Sequence, residues 1–530
     1  MNTTSNSRQL ATTQISQSNE VASDKATGWR GLWRLLSVGL IAAVLCAPFL
    51  RYVWLLGDEG VLLHGAERML RGETIYTDFF EFLPPGGFLI MAGWFAITGI
   101  SLLSARILAI LTIVGIAIVT YLACRQASKH SSLSAFIVAG WLIVSQGFWT
   151  QVSHHWFTTL FSMIAAWITL ASVERGPRWL TAPLTAGLAA GAAVMITPTR
   201  GTLAMLAGAT AFLNLRRHRA ELMTYALGSI VIPICLIAYV VGHDALIAAF
   251  DDVIVFSATR YARTASSPYG HGADFHLRWI FPFAAAITVV TCIRCRLECL
   301  HDRGFRTCVA FGVSGFIGCF PRPDFAHLGF SAPLVCPLLA YCVGRFIRPW
   351  LPKYQYAAAA LAMASLIPTT RGLWLTSEKA MYGEMVPMPR GDITSPRQGI
   401  HEMASLIAAT PSGDKYFFYP YEAILPVLTA RRHVARYDIF GPSYTTPAQY
   451  KEACVAVMRY ASWVMIDREW ADPKLIKLVF PNTPDPEPPE TKRFEEALEV
   501  GFKLVARDGA FELRRRIPGA DETLCIGVEK

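Results

Sequence analysis

The chain has 530 residues, of which 53% are apolar and only 16% charged. A soluble domain carries about 25% charged residues, so a globule with its whole surface in water is excluded and a membrane protein is implied. The formal net charge of +9 falls in short basic clusters between apolar runs. That pattern orients helices in a bilayer and does not make a nucleic-acid footprint.

Residues 1–28 are rich in Ser, Thr, Asn and Gln, so a disordered cytoplasmic tail is expected over about residues 1–30. The first apolar run, about 32–56, is too long for a signal-peptide core and no small-residue cleavage site closes it. It reads as a retained first span. A span needs about 20 mostly apolar residues. Candidate runs lie near 34–56, 104–124, 133–149, 156–173, 181–196, 201–215, 222–242, 279–293, 307–320, 328–344 and 355–375. The expected fold class is therefore a polytopic α-helical membrane protein of about eleven spans, its membrane domain covering residues 31–377. Segment 86–99 is short, follows Pro84-Pro85 and ends at Thr98-Gly99; it reads as an interfacial helix of the first outer loop.

The basic residues decide that choice. With Lys25, Arg30 and Arg34 inside and 86–99 not crossing, the inside loops collect Arg125/Lys129, Arg175/Arg178, Arg216/Arg217/Arg219, Arg294/Arg296/Arg303/Arg306 and Arg345/Arg348/Lys353. A crossing at 86–99 would put every later cluster outside, against the positive-inside bias. The outer face then collects the unusual polar residues: the acids Asp58, Glu59, Asp78, Glu81, Asp251 and Asp252, the pair His154-His155, Arg200, His271, and Arg322, Asp324 and His327. Pore-lining charges would sit mid-span; these sit at one surface, as a reaction centre would. His154-His155 read as an interfacial anchor beside Trp156, and the long outer loop near 243–277 as a cover for the acceptor.

Of the twelve cysteines, most lie in apolar spans (Cys46, Cys235, Cys292, Cys319, Cys336, Cys342) and read as small buried hydrophobes, not as a disulfide framework. Cys292, Cys295 and Cys299 near His301 have loosely metal-like spacing, but a helix end with a short cytoplasmic loop explains them better. From about Pro389 the chain turns polar and Pro-rich. Short β-type runs at 415–420, 461–467, 502–506 and 511–514 alternate with helical stretches at 398–409, 446–460 and 491–498. A small extracytoplasmic α/β domain over 390–530 is expected, with 481–489 as a loop.

The stretch Gly57-Asp58-Glu59-Gly60 sits directly behind the first span, and Tyr76-Thr77-Asp78-Phe79-Phe80-Glu81 and Pro84-Pro85-Gly86-Gly87 follow. The run GDEGVLLHGAERMLRGETIYTDFFEFLPPGG, with the amphipathic helix and SLLSARILAIL behind it, resembles the first outer loop of the GT-C glycosyltransferases. It is most similar to the branch with protein O-mannosyltransferases and the lipid A aminoarabinose transferase. The resemblance is strong over 34–125 and weaker but ordered to about 345. It implies a sugar donor carried on polyprenyl phosphate, a glycan, lipid or protein acceptor, a place in the bacterial inner membrane, and Asp58 as the catalytic carboxylate. The family often has Lys or His before the paired prolines; here the residue is Leu83, which leaves one phosphate or acceptor contact unassigned.

The chemistry wants those residue types. A hydroxyl attacking an anomeric carbon must lose a proton, and a positioned carboxylate is a suitable base. The departing phosphate needs cations and no general acid. Candidate donor- or acceptor-binding residues are Glu59, Asp78, Glu81, Arg200 in Thr197-Pro198-Thr199-Arg200-Gly201, and Arg322, Asp324 and His327 in Pro321-Arg322-Pro323-Asp324-Phe325-Ala326-His327. Bacterial relatives carry a similar Arg/Asp/His turn before a late span, which implies contact with the donor phosphate. A divalent cation could use Asp58, Glu59 or Asp78, but nothing in their spacing demands one, and no other cofactor is implied. No Gly-rich phosphate loop, Ser-His-Asp arrangement or nucleotide fingerprint is present. A transporter or flippase would show internal repeats and broken spans at mid-membrane, and none is evident; a non-catalytic envelope-assembly subunit is the other alternative.

Overall fold

The computed structural model describes residues 28–54, 57–146, 150–175, 180–347, 355–483 and 488–528. The expected disordered tail lies outside the described residues up to Gly28, where the first helix begins; so do residues 484–487 of the expected Pro-rich loop. Six described helices are long and apolar enough to cross a membrane: Gly31–Phe49, Leu102–Ser128, His154–Glu174, Arg217–Gly242, Phe275–Arg294 and Phe325–Arg345. They fall on six of the eleven expected runs, and the chain is an integral membrane protein. The other five runs form shorter helices, among them Thr181–Val194 with 14 residues, Pro198–Thr210 with 13 and Arg303–Ile317 with 15. At about 1.5 Å per residue such helices reach about 20 Å, less than the ~30 Å hydrocarbon thickness.

Phe325–Arg345 is the central helix, with 83% of its apolar stretch buried, whereas Arg217–Gly242 has 22%. The peripheral helices turn Leu40, Leu227, Ile234, Phe283 and Val289 outward, an apolar belt suited to lipid. Close approach of helices is built from small residues. A Cβ at Gly187 would stand 2.1 Å from the Tyr225 carbonyl oxygen, and one at Gly228 would stand 2.3 Å from that of Leu184, so Thr181–Val194 and Leu215–Gly242 touch backbone to backbone. Segment 86–99 forms the helix Gly86–Thr98, and the expected loop near 243–277 is largely helical: Leu246–Phe250, then a π-helical stretch Asp251–Tyr261.

After the helices come strands β1 (Met385–Val386), β2 (Ile393–Thr394), β3 (Lys415–Tyr419), β4 (Arg432–His433), β5 (Trp463–Asp467), β6 (Phe502–Asp508) and β7 (Phe511–Arg516). β1 and β2 pair antiparallel, and the others form one sheet in the order β4-β3-β5-β7-β6, parallel across β4-β3-β5 and antiparallel from β5 onward. Both faces of β3 are covered. Phe417 and Tyr419 pack among Tyr450, Phe494 and Leu498, while Tyr416 and Phe418 pack among Ile400, Met403 and Leu428. That is why Tyr416-Phe417-Phe418-Tyr419 reads as an unbroken apolar run.

Cys454 and Cys525 form a disulfide, which the reading of cysteines as span residues did not anticipate, because these two lie beyond the spans. The other ten are free. Among the described residues no group of three or more His, Cys, Asp or Glu side chains is arranged to hold a metal ion.

The bridge joins residues 71 apart, and a closed loop of that length stabilises a fold by about 4 kcal/mol in the chain-entropy picture. Cys454→Ser is expected to destabilise the sheet region by about 2–4 kcal/mol. Thermal unfolding of the purified protein with and without reductant checks this: reductant should lower the transition of the wild type and leave that of the variant unmoved.

Candidate active site

Asp58 lies in the first turn of helix Asp58–Leu70, which follows Gly57. The helix begins against the sheet region with no room to spare. A Cβ on Gly57 would stand 2.1 Å from the Tyr421 ring, and one on Gly60 would stand 2.0 Å from the Ile424 nitrogen. The two glycines let Tyr421 reach over the helix start, and its hydroxyl donates a hydrogen bond to Asp58 Oδ1. Trp470 backs Tyr421 at 4.7 Å between ring centroids.

Further contacts fix the same docking. His64 Nδ1 meets Asp438 Oδ1 at 2.9 Å, Arg68 donates to the Ala435 carbonyl at 3.1 Å, and Arg390 pairs with Glu67 at 2.7 Å. Burial alone would raise Asp438; His64 and His433 beside it hold its carboxyl down at about 2.

The second part of the site is the turn before the central helix. Asp324 caps that helix, accepting from the His327 amide at 3.0 Å. The same carboxylate binds His327 Nδ1 at 2.7 Å and accepts from Arg322 Nε at 2.7 Å. One buried acid thereby aims an arginine and a histidine side chain. Burial works against its ionisation, but His327 and Arg322 together pull the Asp324 carboxyl well below the usual range. The sheet region touches this turn too: Arg322 donates to the Val479 carbonyl at 3.3 Å and lies 4.7 Å over the Phe480 ring.

The third part is Arg200, at the start of helix Pro198–Thr210, where extended Thr197 and then Pro198 set the turn. Its buried guanidinium donates to Thr159 Oγ1 (3.2 Å) and Ser331 Oγ (3.1 Å) and meets His155 Nδ1 at 3.0 Å. None of these partners is an acid. His155 in turn lies 4.0 Å from His154 and 4.7 Å from His327, ring to ring.

Asp58, Arg200, Arg322, Asp324 and His327 line one cavity of about 640 Å³. Asp58 opens into this cavity while protein surrounds it, and the loss of bulk water pushes its carboxyl above the usual range; Tyr421, Arg322 and His327 act in the opposite direction. Burial and the Asp58 charge push the Tyr421 hydroxyl well above its ordinary value, so it remains the donor. Much of the remaining wall is apolar or aromatic, including Trp54, Val253, Ile254, Phe320 and Phe330. Phe82 stacks on Tyr261 at 4.7 Å.

The other three predicted site residues do not line the cavity. Glu59 is buried and accepts from Arg106 Nη2 at 2.6 Å and from the Val152 amide at 2.9 Å. Asp78 accepts from the Thr74 amide at 2.6 Å within its own turn. Glu81 is buried near Asp438 and Asp252, and burial with those neighbours holds its carboxyl well above the usual range. Asp58, Glu59 and Asp78 therefore engage different partners and do not fit a shared divalent cation.

No protein-family model matches the sequence, and no curated protein matches it. Solved structures do. ArnT from Cupriavidus metallidurans, in a crystal structure bound to undecaprenyl phosphate, superposes with a TM-score of 0.56 at 13% identity, over 94% of this chain and 99% of that one. Its apo crystal structure gives 0.54 at 12% identity. The arabinofuranosyltransferase AftD from mycobacteria gives 0.51 at 12% identity, over 92% of this chain and 40% of AftD. The chain has the ArnT fold. The resemblance carried by residues 34–125 thus extends, as a likeness of fold to two GT-C glycosyltransferases, over nearly the whole chain.

Within that ArnT-like frame, no local pattern marks Tyr421, which lies 363 residues from Asp58. It sits just past a β-type run that pattern reading ends at Pro420. His154 and His155, expected as an interfacial anchor, line the cavity instead, because the first turn of their helix faces the central helix and not the lipid.

Glu59 and Arg106 form a pair with almost no exposure. Breaking a buried pair on one side costs about 3–5 kcal/mol, while replacing both partners by well-packed apolar residues costs far less. Glu59→Gln or Arg106→Met is expected to lower stability by about that amount, and Glu59→Leu with Arg106→Met by less than either single change. A double-mutant cycle of unfolding free energies checks the pair.

Proposed function

We propose that this chain is a glycosyltransferase that moves a sugar from a polyprenyl-phosphate donor to a cell-envelope acceptor at the non-cytoplasmic face of a bacterial inner membrane. One observation carries the reading. Arg200 is buried with no acidic partner among the described residues, and it shares a cavity with Asp58, Arg322 and His327. A buried cation without a counter-charge is costly, and a phosphate held there would offset that cost. The mostly apolar wall suits a prenyl chain. ArnT, whose fold this chain shares, is itself seen bound to undecaprenyl phosphate.

In the proposed reaction the acceptor hydroxyl attacks the anomeric carbon and Asp58 takes its proton. The bond from that carbon to the phosphate oxygen breaks, and the charge left on the phosphate is met by Arg200, Arg322 and His327. Asp324 positions the last two, and Tyr421 positions Asp58. The face of the membrane is inferred from the basic loops, which gather on one side when the five shorter helices also cross and Gly86–Thr98 does not. The Cys454–Cys525 disulfide supports an oxidising compartment for the sheet region, hence an extracytoplasmic C-terminal domain and a cytoplasmic N-terminus.

Asp58→Asn is expected to cut turnover by about 10²–10⁴-fold, the usual loss for a positioned base, with folding and polyprenyl-phosphate binding unchanged. Consumption of lipid-linked sugars extracted from cells, followed by mass spectrometry, measures it. Full turnover in Asp58→Asn overturns the mechanism. The pH profile carries a second expectation. Asp58 works as the carboxylate, so activity falls as pH drops through its pKa. The Tyr421 hydrogen bond favours the carboxylate, so Tyr421→Phe should raise that pKa and move the acid limb to higher pH.

A further inference from the structure

A second cavity of about 550 Å³ lies beside the first, lined by Thr259, Arg260, Arg263, Thr264, Ser443 and Asn482. Thr264 lines both cavities, so little more than one side chain separates them. Their walls differ in kind. The first is largely apolar and aromatic, whereas all six residues named for the second are polar. One wall is the helical segment that carries Tyr261; the other comes from turns of the C-terminal region. Asn482 ties the two together by donating to the Ser266 carbonyl at 3.1 Å and bonding Ser266 Oγ at 2.5 Å.

Arg260 and Arg263 stand three residues apart. Among the described residues neither guanidinium has a hydrogen-bond or ion-pair partner. Several arginines of the C-terminal region behave otherwise: Arg397 binds Asp467, Arg436 faces Glu452 and Arg468 binds Glu512. Two like charges one helical turn apart repel. An anion bridging both would make charge-assisted hydrogen bonds with each.

We propose that this second cavity is the acceptor entrance, and that it takes an anionic sugar, one bearing a phosphate or carboxylate group, held by Arg260 and Arg263 while its hydroxyl passes Thr264 toward Asp58. The route to Asp58 rests on the glycosyltransferase reading; the anion site does not. The donor cavity suits a molecule arriving from the membrane, and this cleft, with its two arginines, suits an anion arriving from water.

Binding to the full chain in neutral-lipid nanodiscs tests the site, with glucose 6-phosphate, glucuronate and uncharged glucose as soluble probes and undecaprenyl phosphate as the lipid probe. Glucose 6-phosphate or glucuronate should bind, more weakly as salt rises, and glucose should not. Arg260→Ser with Arg263→Ser should weaken the anionic sugar at least about ten-fold and leave undecaprenyl phosphate untouched; Arg260→Lys with Arg263→Lys should keep most of the binding. Arg322→Ser should do the reverse, losing undecaprenyl phosphate and keeping the sugar anion. Equal unfolding temperatures guard against a folding artefact. Sugar-anion binding that ignores the Arg260/Arg263 change, or no sugar-anion binding at all, overturns the entrance. So does an effect of the double change seen only with phosphatidylglycerol nanodiscs, which would make the pair a membrane contact. Should the sugar anion bind through Arg260 and Arg263 while undecaprenyl phosphate does not bind at all, the donor reading falls and the anion site stands.

Discussion

Tyr421 lies over the first turn of a helix where Gly57 and Gly60 have no side chains to keep it away, and its hydroxyl reaches the carboxylate of Asp58. A carboxylate set among protein groups gains from donors and opposite charge nearby. Asp58 gets the first from the C-terminal region and the second from the turn before the central helix. Neither Gly57 nor Gly60 tolerates a Cβ in this arrangement, so the close approach of the two parts of the chain is written into two residues. His64 with Asp438, Arg68 with Ala435 and Arg390 with Glu67 hold the same seam shut further along the helix.

Asp324 does for Arg322 and His327 what Tyr421 does for the base. It caps the central helix, and the same two oxygens bind Arg322 and His327. Because this helix is the most enclosed of the long ones, its N-terminal turn is a stiff platform. The C-terminal region reaches this turn through Val479 and Phe480 and reaches Asp58 through Tyr421. It therefore braces both sides of the cavity, and the separation of the carboxylate from the cations depends on how that region is seated.

The π-helical stretch that leads to both cavities has its own electrostatics. Asp252, in the π-helical stretch, is raised to about 7 chiefly by burial, and burial with the Asp438 and Asp252 charges also raises Glu81 well above the usual range. Acids whose ionisation burial opposes can lie close together without full mutual repulsion. The stretch they support carries Val253, Ile254 and Tyr261 into the first cavity and leads to Arg260 and Arg263 at the second. π-helical turns recur at functional sites, and here one supplies a wall to each cavity.

Much of this was legible in one dimension. Apolar runs of about 20 residues have no stable place but a membrane, so the six long helices followed from hydropathy alone. Four of the five strands of the sheet followed from short β-type runs between turn residues, β4 being too short to show, and Asp58, Arg200 and the 321–327 turn stood out as charges at the ends of apolar runs. Sequence could not tell which of those charges face inward together, since that depends on helix rotation and on contacts hundreds of residues apart. Glu59 and Asp58 are neighbours in the chain, yet successive helical positions point about 100° apart: one is locked to Arg106 while the other opens into the cavity. Tyr421 and the Cys454–Cys525 bridge lay in segments whose local pattern says only strand, turn or helix. The chain alone determined that this protein lives in a membrane and keeps its charges at the helix ends, because burial of apolar surface is a local property. Only the folded arrangement decided which of those charges meet, because the direction of a side chain is settled by packing.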